Sequence, residues 1–161
     1  MRPFRYLLRV RYGECDAQKI VYNARYGEYV DLAATEFLRA VWGDAVFGGG
    51  LDYRLVKQVI EWRSPARHDD IVEIAVSAGR VGTTSFGLAM DLRVLGGERP
   101  AVVAETTYVL VREREQTKCA VPDELRRRLL DGAPGVIIDH AGAGAALRDA
   151  ADPVPAPLGP R

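Results

Sequence analysis

The sequence predicts an α+β fold in which one long helix covers a five-stranded antiparallel sheet. Three observations carry this: an alternating apolar pattern over 4–12, one helical period after residue 24, and four more alternating segments between 53 and 112 joined by short turn-rich links.

In the first segment Phe4, Tyr6, Leu8, Val10 and Tyr12 alternate with Arg5, Leu7, Arg9 and Arg11, which puts the first set on one face of a strand. From Ala24 the period lengthens. Tyr26, Val30, Ala33, Phe37 and Val41 recur at steps of four, three, four and four and form one apolar stripe. Asn23 is the expected N-cap and Gly43 the expected stop. At 1.5 Å per residue such a helix runs about 28 Å, enough to cross most of a sheet.

After Phe47-Gly48-Gly49-Gly50, strands are expected at 53–63, 71–81, 84–95 and 101–112. Val72, Ile74, Val76 and Ala78, then Phe86, Leu88, Met90, Leu92 and Val94, form their inward faces. The links 65–70, 81–83 and 96–100 hold the Pro, Gly and Asp that tight turns need, and short links impose antiparallel pairing. Pro122-Asp123-Glu124 before Leu125, Leu129 and Leu130 predicts a short helix. Residues 1–131 form the expected domain. Residues 132–161, rich in Ala, Gly and Pro, form an expected mobile tail in which Val136-Ile137-Ile138 can dock.

Composition narrows the function classes. With 22 Lys and Arg against 22 Asp and Glu, no summed field favours nucleic acid or an anionic membrane. No apolar run approaches the ~20 residues that span a bilayer, and Met1-Arg2-Pro3-Phe4-Arg5 leads directly into a strand pattern, so a cytoplasmic protein is expected. Cys15 and Cys119 have neither disulfide-framework nor zinc spacing, and Gly48-Gly49-Gly50 lacks the lysine and helix start of a phosphate loop. Neither a metal nor a cofactor is expected.

The two histidines, His68 in a turn and His140 in the tail, are poorly placed for a triad or a dyad, and Cys15 has no local base. Asp16 stands apart. It precedes Ile20-Val21-Tyr22, an apolar run within a loop, and then a helix start. A carboxylate beside packed apolar residues loses water and becomes a stronger base, while free N–H groups at a helix start polarise a carbonyl. From the residues alone Asp16 is either a reagent or a turn-stabilising aspartate.

The stretch from Asp16 to Tyr26, together with Ala34-Thr35-Glu36-Phe37-Leu38-Arg39, Ser64-Pro65-Ala66-Arg67-His68-Asp69-Asp70 and Ser85-Phe86, resembles the hotdog-fold acyl-CoA thioesterases of the 4-hydroxybenzoyl-CoA thioesterase type. The resemblance covers 4–125. It implies a helix wrapped by the sheet, homodimers joined edge to edge and often paired into homotetramers, and sites at the dimer interface. It also implies Asp16 as nucleophile or general base in acyl-CoA hydrolysis, the Asn23 backbone N–H on the thioester carbonyl, and coenzyme A as part of the substrate. Substrate contacts are expected from Thr84 and Ser85, and from Tyr22 and Tyr26, which can line an acyl pocket or simply pack. Three departures stand out. Lys19 replaces a common loop glycine, Gly82-Thr83-Thr84 lacks the basic residues that meet CoA phosphates, leaving Arg80 and Lys118 as candidates, and the tail lies outside the match. A non-catalytic binding module of the same fold, or a dehydratase using His68, are the competing readings.

Overall fold

The computed structural model describes residues 3–43 and 49–144; Phe47, Gly48 and the tail from 145 onward lie outside the described residues. Strand β1 (Phe4–Arg9) leads through a 3-10 turn (Tyr12–Glu14) to helix α1 (Arg25–Trp42). Strands β2 (Leu51–Trp62), β3 (Ile71–Val81), β4 (Ser85–Val94) and β5 (Val102–Arg112) follow, then helix α2 (Asp123–Asp131) and strand β6 (Ile137–Asp139).

The sheet order is β2-β5-β4-β3-β1-β6. Every pairing is antiparallel except β1 with β6, which is parallel. The expected five-stranded antiparallel sheet is therefore a six-stranded mixed one. The extra strand comes from the segment expected to dock: Arg5 N–H donates to the Val136 carbonyl at 3.0 Å and His140 N–H to the Leu7 carbonyl at 2.9 Å.

The first strand is shorter than its alternation suggests. Val10 is buried, but Tyr12 is 84% exposed because the chain has already turned away. Gly43 ends α1 with φ of 74°, a left-handed value that glycine adopts without penalty, and its N–H donates to the Arg39 carbonyl.

One face of the sheet is apolar and α1 covers it. Tyr29, Val30, Ala33, Phe37 and Leu38 of the helix pack with Phe4, Ile74, Leu88 and Leu92 of the sheet, and Phe4 meets Phe37 edge-on at 5.5 Å. Each fully buried side chain of this size contributes roughly 1.5–3 kcal/mol. Helix α2 adds Leu125 and Leu129 to the same core. Among the described residues no helix is long and apolar enough to cross a membrane.

The other face carries a buried ion pair. Arg5 on β1 reaches Glu73 on β3 at 3.0 Å, with both side chains about 95% covered. Beside them the 137–143 segment packs Ile137, Ala141 and Ala143 over Leu7, Ile71 and Leu95. Asp139 holds that segment by accepting N–H bonds from Ala141, Ala143 and Gly144 at 3.0, 3.1 and 3.1 Å. The β1 edge is thereby covered. Among the described residues nothing pairs with the outer edge of β2, which exposes Leu55, Val56, Val59 and Trp62.

Removing one member of a buried ion pair leaves the other uncompensated. Glu73→Leu is expected to lower stability by about 3–5 kcal/mol in urea unfolding, and adding Arg5→Met should restore most of it.

Candidate active site

The site is built on Glu14. The 3-10 turn that ends the β1 run is closed by Glu14 N–H to the Arg11 carbonyl at 3.1 Å and Cys15 N–H to the Tyr12 carbonyl at 3.2 Å. Glu14 points inward, 5% exposed. Its carboxylate accepts from Arg11 N–H at 2.7 Å, Arg11 Nε at 3.0 Å, Arg11 Nη2 at 2.6 Å and the Tyr29 hydroxyl at 2.8 Å. Burial pushes the Glu14 carboxyl up, but the hydrogen bonds from Arg11 and Tyr29 outweigh it and hold the group below the usual glutamate value. Burial and the bond to that carboxylate push the Tyr29 hydroxyl up.

From this anchor the chain makes a tight loop. Cys15 and Val21 bridge across its neck. Asp16 N–H donates to the Ile20 carbonyl and Lys19 N–H to the Asp16 carbonyl, both at 2.9 Å. The Gln18 N–H donates to Asp16 Oδ1 at 2.8 Å, an Asx turn that fixes one carboxylate oxygen. Asp16 Oδ2 has no hydrogen-bond partner among the described residues. Lys19 sits at φ of 62°, the left-handed conformation that explains why glycine suits this position.

The loop leans on the link between β2 and β3. Val21 N–H donates to the Ala66 carbonyl at 2.9 Å, Ile20 bridges to Arg67, and Ala66 N–H donates to the Tyr26 hydroxyl at 3.3 Å. Of the three apolar loop residues only Val21 is fully packed. Ile20 is half-buried and Tyr22 is 52% exposed.

Asn23 does not cap the helix with its side chain. Helix α1 begins at Arg25, Ala24 occupies the cap position, and no side chain caps it. The Tyr22 carbonyl takes the Arg25 N–H at 2.8 Å, while the N–H groups of Asn23 and Ala24 have no acceptor among the described residues. A helix start with free donors attracts negative charge.

These parts border one cleft of about 510 Å³, lined by Asp16, Gln18, Ile20, Val21, Tyr22, Asn23 and Tyr26 on one side and Trp62, Arg63, Ser64 and Pro65 on the other. Asp16, with its free carboxylate oxygen, and Asn23, with its free backbone N–H, thus line the same space. Such a set can raise a nucleophile against a carbonyl and hold the oxyanion that forms.

The structure brings together Asp16, Asn23, Tyr22 and Tyr26, although the Tyr26 hydroxyl is committed to Ala66. It does not bring Thr84, Ser85, Arg80 or Lys118 to them. Strand β3, 11 residues long, pairs near its start with Arg9 and ends at Val81, so the 81–85 turn lies roughly 30 Å from the Asp16 end. There the Thr84 carbonyl accepts from Leu110 N–H at 2.9 Å, and Lys118 bridges to Val111.

No histidine lines the cleft. His68 meets the exposed Tyr12 ring at 5.9 Å, and His140 Nδ1 lies 3.1 Å from the Tyr6 hydroxyl. Among the described residues no His, Cys, Asp and Glu cluster could hold a metal. Glu14, Trp62 and Arg63 escaped the sequence reading. For Glu14 a local signal existed, since Arg11 precedes it by three residues, the spacing of a capping pair.

The left-handed Lys19 yields a direct test. Relief of a Cβ in that conformation is worth roughly 1–2 kcal/mol, partly offset by the greater chain entropy of glycine. Lys19→Gly should therefore leave thermal stability unchanged or raise it by up to about 1 kcal/mol, whereas the β-branched Lys19→Val should lower it by about 1–2 kcal/mol.

Comparison with known proteins places the chain in a family. Residues 10–129 match the family model of the thioesterase-like superfamily. The acyl-CoA thioester hydrolase YbgC of Escherichia coli O6:H1 is 30% identical over 125 residues, which covers 76% of this chain and 92% of YbgC. Two solved structures share the fold. The PA5185 protein of Pseudomonas aeruginosa has a TM-score of 0.74 at 21% identity, covering 82% of this chain and 92% of that one. The Slr0204 protein of Synechocystis, a 1,4-dihydroxy-2-naphthoyl-CoA thioesterase, has a TM-score of 0.69 at 17% identity, covering 78% and 94%. The long helix on its sheet is the hotdog fold, and the chain belongs to the thioesterase-like superfamily.

Proposed function

We propose that this protein is an acyl-CoA thioester hydrolase that uses Asp16 as nucleophile or general base and the Asn23 N–H as oxyanion donor. The observation that carries the reading is the shared cleft, where an unpartnered Asp16 oxygen and an uncapped helix start meet. The match to YbgC, itself named an acyl-CoA thioester hydrolase, supports the reaction class.

In the general-base route Asp16 takes a proton from water as its oxygen bonds to the thioester carbon. In the nucleophilic route Asp16 Oδ2 bonds to that carbon, and water later opens the mixed anhydride. In both, the carbonyl oxygen gains negative charge toward the Asn23 N–H, the C–S bond breaks and coenzyme A leaves as thiolate. The thiolate then takes up the proton drawn from water, directly from Asp16 or through solvent, so Asp16 is regenerated, the products are free acid and CoA, and no cofactor enters the balance. The free thiols of Cys15 and Cys119 suit a reducing compartment such as the cytoplasm.

The assembly we propose is a dimer joined through the outer β2 edges, which pair with no other strand among the described residues and are rich in exposed apolar side chains. Two-fold antiparallel pairing of β2 lays the Leu51 end of one copy beside the Trp62 end of the other. That arrangement carries the 81–85 turn and Lys118 of a second copy toward the Asp16 cleft, so Thr84, Ser85, Arg80 and Lys118 become substrate contacts across an interface. Pairs of such dimers would make the homotetramer.

Two measurements test this. A free-thiol assay across short, long, branched and aromatic acyl-CoA thioesters should find turnover, and Asp16→Asn should reduce kcat by about 100-fold or more in folded protein. Tight binding of intact acyl-CoA without turnover would instead indicate a binding module. Val56→Lys with Val59→Lys should shift the sedimenting species toward monomer and lower kcat/KM by more than about 10-fold, and a fully active monomer would remove the interface.

A further inference from the structure

Resting on the assignment of Asp16 above, we infer that Glu14 is a positioning residue that holds the reacting carboxylate and the oxyanion donors in one register. It touches neither substrate nor reacting atoms. Its side chain and its backbone instead tie together three segments whose relative placement defines the cleft.

The side chain binds backwards and forwards. Arg11, by its backbone N–H and its guanidinium, fixes Glu14 to the turn that leaves β1. The Tyr29 hydroxyl, at 2.8 Å, fixes it to α1, about one and a half turns beyond the free Asn23 and Ala24 N–H groups. The backbone closes the third link. The Glu14 carbonyl accepts the Tyr22 N–H at 2.9 Å, across the neck of the loop and one residue before Asn23.

Asp16 is two residues beyond Glu14 on one side of that neck, and Asn23 is one residue beyond Tyr22 on the other. A shift of Glu14 against Tyr29 would move the carboxylate against the helix start. Misplacement by about 1 Å costs on the order of 100-fold in rate, so a residue that sets this distance governs turnover without entering the chemistry. A buried carboxylate with four donors is also a stiff joint, because each bond is charge-assisted and the one from Tyr29 is buried, although the Arg11 side chain itself stays largely exposed.

The test compares Glu14→Gln, which keeps the shape but loses charge and an acceptor, with Tyr29→Phe and with Asp16→Asn, all in the full chain with folding verified by circular dichroism. Glu14→Gln should lower kcat by about 10- to 100-fold with KM within about threefold, and Tyr29→Phe should lower kcat by a smaller factor. Glu14→Asp should recover part of the loss. In the Asp16→Asn background Glu14→Gln should add no further loss, because both act on the same carboxylate. Folded Glu14→Gln with wild-type kcat, or a loss that multiplies fully with that of Asp16→Asn, would overturn the inference. Full activity in Asp16→Asn would overturn the assignment beneath it, a different outcome.

Discussion

The structure depends on one constraint: the apolar face of the sheet has a single long helix to cover it. Tyr26, Tyr29, Val30, Ala33, Phe37 and Leu38 must meet that face, so neither the position of α1 along the sheet nor its rotation is free. The point where α1 begins is fixed with it. Because α1 begins uncapped at Ala24, the requirement that buries the core also sets two free N–H groups at one end of the sheet. The core and the site are consequences of the same packing.

The elements with long periodic patterns were legible in the sequence. Strand β3 spans the expected 71–81, and α1, β2, β4 and β5 differ from expectation by two residues or fewer at their ends. What escaped was set by tertiary contacts. Alternation continues past Arg9, but Glu14 folds back on Arg11 and turns the chain, so a side-chain bond overrides the pattern. Strand β6 has only three residues, too few for a period, and exists because β1 offers it a parallel edge.

The candidate site was legible in its cleft-lining residues more than in their support. Asp16 and Asn23 could be singled out because a loop carboxylate and a helix start are local features. The second wall, Trp62 to Pro65, could not, since it reaches the cleft through the contacts that Ile20, Val21 and Tyr26 make to the 66–67 segment. Glu14 is harder still: its spacing from Arg11 suggests a local capping pair but not that the carboxylate is buried against Tyr29 of α1. Lys19 has a geometric account, a side chain tolerated where the loop needs φ of 62°.

Placing the support outside the reacting set has a physical logic. In the proposed mechanism Asp16 must leave one oxygen open to the cleft, so it cannot also be clamped by several donors. Its single bond from Gln18 N–H orients it without burying it. Glu14 takes the opposite role: fully donated to, shielded and held ionised, it can stiffen the neck because it has no lone pair to spare for substrate. This division suffices for the proposed thioester substrate. Its thiolate leaves readily, so one oriented carboxylate and an uncapped helix start need no further acid, and the demand on the fold is reduced to holding two groups a fixed distance apart.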